Sequence, residues 1–69
     1  MPATQLAALN ALPQSIRDGL EDRIELALDG ITGWAPAIQF ASNSTIMLVQ
    51  AGTLTGEQAA AVVDYARSF

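Results

Sequence analysis

Sixty-nine residues without cysteine or histidine allow one small domain, 1–69, with no disulfide staple, thiol nucleophile, Cys/His metal site or histidine base. Seven acidic residues against three arginines and no lysine give a net charge of −4, which lacks the basic footprint that a nucleic-acid backbone requires. Charged residues are only 14% of the chain and hydrophobic residues 51%, so a surface this large for its volume must be partly apolar, favouring burial against another molecule.

Area scaling sharpens that expectation. Folding buries about 6,300 Å², about 60% of it apolar, contributing roughly 95 kcal/mol against about 100 kcal/mol of ordering entropy. A monomer near break-even is expected to find its margin in a second copy, so a homodimer is expected. No apolar run approaches the ~18 residues of a membrane span, and no basic leader precedes an apolar stretch. These features predict a cytoplasmic protein that contacts neither membrane nor nucleic acid.

In chain order, Met1 to Asn10 reads as a short helix with Thr4 as cap and Leu6, Leu9 and Leu12 on one side. Pro13 interrupts it and suits the first turn of a second, longer helix from about Pro13 to Asp29, ended by Gly30. At about 100° per residue, Ile16, Leu20, Ile24, Ala27 and Ile31 form one apolar stripe on this helix, with Asp18, Asp22, Glu25 and Asp29 opposite. Leu26 and Leu28 flank the stripe on both sides, more apolar surface than one small sheet can cover. Arg17 pairs locally with Glu21. Arg23 falls on the stripe beside Ile16 and Ala27, where its charge needs a receiver: Asp64, the chain terminus, a second subunit or an external partner.

Gly30 to Pro36 reads as a loop carrying the lone tryptophan, Trp34, which is either a core plug or a recognition residue. Beyond Pro36 the pattern alternates. Ala37–Ser42 and Thr45–Gln50 read as two antiparallel strands joined by an Asn43-Ser44 turn. Ile38, Phe40, Met47 and Val49 would form the core face, leaving Ile46 and Leu48 on a second apolar face. Thr55 and Gln58 then make a capping box with Leu54 as staple, starting a helix that runs to Ser68. Its inner face is expected to hold Ala59, Val62, Val63, Ala66 and Phe69, with Ala60 permitting close helix approach. The predicted fold is therefore α+β, in the order α-α-β-β-α, with a two-stranded antiparallel hairpin and a C-terminal helix, as an intertwined or face-packed homodimer.

No constellation for catalysis is present. The carboxylates lie along one convex helix face and not across a cleft, the serines lack a base, and no glycine-rich phosphate loop occurs. Small tautomerases use an N-terminal proline as base, as Pro2 would be if Met1 were removed. They begin with a strand directly after it, whereas Ala3 to Ala8 reads as helix, so the resemblance fails. The chain is expected to be non-enzymatic, without cofactor or metal. Its expected role is a small interaction module that binds and modulates or inhibits a larger protein. A phage- or mobile-element-encoded inhibitor of a bacterial regulator or ATPase is an example of that class. The expected partner-binding residues are Arg23, Trp34 and the acidic ridge of Asp18, Asp22, Glu25 and Asp29. Leu26, Leu28, Ile46 and Leu48 are the expected dimer interface. The competing expectation is a structural assembly subunit that polymerises through its hairpin.

Overall fold

Prolines and glycines divide the chain into four helices. The computed structural model describes residues 3–69. They form α1 (Ala3–Ala11), α2 (Gln14–Leu28), α3 (Ala35–Gln50) and α4 (Gly56–Arg67). Pro13 takes the N-cap position of α2 and Pro36 lies in the first turn of α3, where a missing N–H costs no helical bond. Gly30 and Gly52 adopt φ of 74° and 78°, the left-handed region that ends a helix. At each end two backbone bonds close a Schellman motif: Gly30 and Ile31 donate to Ala27 and Leu26, and Gly52 and Thr53 donate to Val49 and Leu48. Thr55 caps α4 reciprocally with Gln58, through N···O distances of 3.1 and 3.0 Å. Of the expected caps, that box, Pro13 and Gly30 stand as read. Thr4 instead lies inside α1, and Met1 and Pro2 lie outside the described residues.

The expected hairpin is absent: residues 35–50 form a single helix, and no strand occurs among the described residues. The α+β assignment, the α-β-β-α order and the two-faced sheet are corrected accordingly. The reason is visible in which residues turn inward. Ala37, Ala41, Ser44 and Thr45 are buried, and Leu48 packs against the core, a spacing of four, three, one and three that only a helix aligns. Reading Ile38, Phe40, Met47 and Val49 as the inner set followed the bulky residues and overlooked the small ones. Met47 and Val49 are in fact exposed. Strand-favouring Thr45 is accommodated because its hydroxyl donates to the Ala41 carbonyl at 2.7 Å, within its own helix. Local β preference yields here to tertiary packing.

α1 packs on α4, α4 on α3, and α3 on α2. The core they enclose is built largely of alanine: Ala8, Ala27, Ala37, Ala41, Ala61 and Ala66 are six of its eleven buried apolar residues. Leu20 and Val62 are the largest side chains fully buried. Alanines bring helix axes close together but leave little room for larger groups. On α4 the inward small residue is Ala61, not Ala60 as expected, and Phe69 lies half-exposed beyond the last turn.

The helix at 35–50 has a discriminating test at Asn43, exposed in mid-helix. Asn43→Ala is expected to stabilise the fold by about 0.5 kcal/mol, or about 2–4 °C in Tm, because alanine is the better helix former. A turn with positive φ at this residue would reverse the sign, and thermal unfolding followed by circular dichroism reads the difference.

Candidate functional site

Both arginines of α2 are turned away from its carboxylates. Arg17 reaches across to the end of α1, where its Nη2 donates to the carbonyls of Asn10 and Leu12 at 3.3 and 3.2 Å. Those carbonyls belong to a helix end with no basic residue of its own, so the guanidinium satisfies orphan acceptors and the negative end of the dipole. Arg17 Nε is buried there without a hydrogen-bond partner. The expected Arg17–Glu21 pair is replaced by this cap.

Arg23 finds its receiver within the chain, and it is none of the groups expected. Its Nη1 donates to the Gly19 carbonyl at 2.9 Å, and its guanidinium carbon lies 4.0 Å from the centre of the Phe40 ring on α3. Gly19 makes the arrangement possible. A Cβ at that position would stand 2.7 Å from Phe40 Cζ, so only glycine lets the ring approach α2 this closely. The half-buried arginine is thus stabilised by a ring face and a carbonyl, without a carboxylate.

Trp34 sits at the N-cap of α3 and packs against the core while stacking on Phe69, with ring centroids 5.4 Å apart and planes at 12°. Tyr65 meets the other side of this ladder edge-on, 5.2 Å from Phe69. The ladder ties the start of α3 to the end of α4.

Asp18, Asp22, Glu25 and Asp29 are all exposed along the outer side of α2 and its C-cap, and Glu21 is exposed beside them. Among the described residues no group of three or more acidic side chains is disposed to hold a metal ion. Of the expected dimer residues, Leu26, Leu28 and Ile46 are exposed, but Leu48 packs against the chain's own core. The structure adds exposed Leu6, Ile31, Met47, Val49 and Phe69. These eight large apolar groups do not form one sheet-like patch; they are distributed over α1, the end of α2, the outer side of α3 and the chain's last residue. A sequence signal for this existed in the charge pattern: from Gly30 to Gly56 there is no charged residue, and all of α3 lies inside that stretch.

A concavity of about 290 Å³ opens between α1, α2 and α4. Leu6 and Leu9 line one side, Tyr65 the end, Leu20 the floor, and Arg17 and Glu21 the α2 side. Sequence reasoning missed it because it arises where α1 and α2, consecutive in the chain, each pack on a different neighbour. A second, more open depression of about 470 Å³ lies between the first turns of α1 and α4, lined by Ala3, Thr4, Ala7, Thr55, Glu57 and Gln58. Comparison with protein-family models, with characterised proteins and with solved structures finds no match to this chain.

The arginine–ring contact is expected to show as a coupling energy. In a double-mutant cycle with Arg23→Met and Phe40→Leu, denaturant unfolding should give a coupling of about 0.5–1 kcal/mol. A coupling below about 0.2 kcal/mol would mean that the two side chains act independently.

Proposed function

We propose that this chain is a non-enzymatic interaction module that binds a larger protein and modulates its activity. The observation that carries the reading is the division of apolar residues: alanines fill the core while eight large hydrophobic side chains remain exposed. Desolvating such groups against a partner contributes more than leaving them in water. Among the described residues no enclosed pair of titratable groups lines a cleft, which supports binding over catalysis. No helix of the described residues is long and apolar enough to cross a membrane, and a cytoplasmic setting belongs to the same proposal. The competing assembly subunit needed a hairpin edge, and that edge does not exist in a four-helix fold.

Self-association through α3 is part of the reading. Ile46 and Met47 are more than half exposed on a helix without any charged residue, so two copies can meet there without opposing carboxylates. Because Leu20 and Val62 are buried within one chain, such a dimer joins already folded subunits. Leu28 is 61% exposed, so Leu28→Asp is expected to leave the core intact and the subunit folded.

Sedimentation equilibrium over a concentration series is expected to show a dimer, and Ile46→Asp with Met47→Asp is expected to give a folded monomer of unchanged helix content. A single-chain mass at all concentrations would remove the dimer. Affinity capture from lysate of the source organism, followed by mass spectrometry, tests the module itself: a specific, stoichiometric protein partner is expected, and none at any salt concentration would end this reading.

A further inference from the structure

We propose that residues 44–50, Ser-Thr-Ile-Met-Leu-Val-Gln, are a latent β-strand that pairs with the same residues of a second copy once α3 leaves the core. The native fold stays helical, and only partly opened molecules present the strand. Stacked copies then form a cross-β assembly.

Composition makes the segment competent. Thr45, Ile46 and Val49 are β-branched, and the run holds no glycine, proline or charge. In an extended chain Ile46 and Leu48 fall on one side, with Thr45, Met47 and Val49 on the other. Identical copies of such a run interdigitate as a dry zipper, and Gln50 adds an amide ladder when they stack in register. That match of like to like selects a second copy as the partner. The other apolar runs of the chain are guarded. Glu25 and Asp29 bracket the leucines at the end of α2, Asp64 follows Val62 and Val63 on α4, and Pro13 follows the leucines of α1. Charges and prolines so placed oppose strand stacking. The charged residues nearest to 44–50 are Asp29, fifteen positions before Ser44, and Glu57, seven after Gln50.

The fold shows why this segment is the one released. Little that is local favours a helix here: α3 has no side-chain cap, no acidic residue in its first turn and no basic residue in its last. Being free of charge, it has no ion pair along its length, and Asn43, Ser44, Thr45, Ile46 and Val49 are weak helix formers. Packing therefore holds the helix, and it does so unevenly. At the start, Trp34 and Phe40 pack against the core, and the Arg23 guanidinium covers the Phe40 ring. In the second half the buried residues are Ser44 and Thr45, joined by partly buried Leu48. The Thr45 hydroxyl donates to the Ala41 and Ser42 carbonyls of its own helix, while Ile46, Met47 and Val49 are exposed. Small polar groups withdraw little apolar area from water, so this half is the less costly one to open.

The test incubates each full-length protein with agitation at its own thermal midpoint, so that equal fractions have opened, and follows assembly by thioflavin fluorescence. Matched opening also removes any contribution from an α3 dimer of folded subunits. The parent is expected to form fibres with the strand spacing of about 4.7 Å in diffraction. Their protease-resistant core, identified by mass spectrometry, is expected to contain residues 44–50. Ile46→Lys and Met47→Lys each place a charge in the strand at a position exposed in the native fold, so helix content below the midpoint is expected to be unchanged. Each is expected to slow assembly at least about tenfold. Leu28→Lys and Ile31→Lys, comparably exposed but outside the segment, are expected to change the rate by less than about twofold. If one lysine in the strand disturbs the native helix, the other decides. Precipitation without the strand spacing, a resistant core elsewhere in the chain, or equal slowing by Leu28→Lys would overturn the proposal.

Discussion

Everything distinctive about this molecule follows from the size of the groups that separate its helices. Ala27, Ala37, Ala41, Ala61 and Ala66 stand where larger aliphatic residues would hold helices further apart. Close axes gain backbone-to-backbone dispersion, but they reduce the volume available for leucine and isoleucine. Leu12, Leu20, Ile24, Leu54 and Val62 take the space that remains. Other large apolar side chains are consequently displaced to the surface, and an ordinary composition of 51% hydrophobic residues yields an extraordinary share of exposed ones. The same close spacing accounts for Gly19. Where α2 meets α3, Phe40 is too large for an alanine-spaced contact, and the opposing residue must lose its side chain altogether.

The arginines complete that packing and so release the carboxylates. Arg17 stabilises the end of α1, which has no basic residue of its own, and Arg23 covers Phe40 at the α2–α3 seam. Arg23 is better suited to its task than lysine would be, because a planar, weakly hydrated guanidinium stacks readily on an aromatic ring. The consequence is electrostatic: cations that could have paired along α2 at spacing of four are used between helices. The acidic side of α2 therefore faces outward with its charge unanswered, and its intrahelical repulsion, a few tenths of a kcal/mol per pair, is a standing cost of the arrangement.

How much of this was legible in the sequence depends on whether the information was local. The limits of α2 were readable from Pro13 and Gly30, and the start of α4 from Thr55 and Gln58, since a cap is a contact between near neighbours. The acidic ridge was readable because exposure of charge is almost obligatory. Residues 35–50 were not. Within six residues Ala37–Ser42 alternates well enough for a strand, and Thr45, Ile46 and Val49 favour one; only the longer spacing of Ala37, Ala41, Ser44, Thr45 and Leu48 reveals a helix, and small or polar residues carry it. The charge of Arg23 on the apolar stripe is legible in the sequence, but its receivers are not: the Gly19 carbonyl one turn back, and a ring 17 positions away on a helix whose local pattern resembles a strand.

The concavity was the least legible feature, and its origin shows why. A helical hairpin with a connection as short as Leu12–Pro13 ordinarily packs its two helices on each other. Here α1 instead lies against α4 and α2 against α3, so the first connection joins helices belonging to two different pairs. Arg17 bridges the divergence at its narrow end by holding the carbonyls of Asn10 and Leu12, and Leu20 closes the bottom. Above that floor no described residue fills the space between Leu6 and Glu21. A longer side chain at Ala7 or Ala8 would not remedy this: Ala8 is already fully buried, and Ala7 is directed toward the depression beside Thr55. The opening is therefore a property of the helix pairing and not of any one side chain. Its apolar walls and single charged edge follow from which helix contributes which side: α1 supplies leucine without charge, and α2 supplies Arg17 and Glu21.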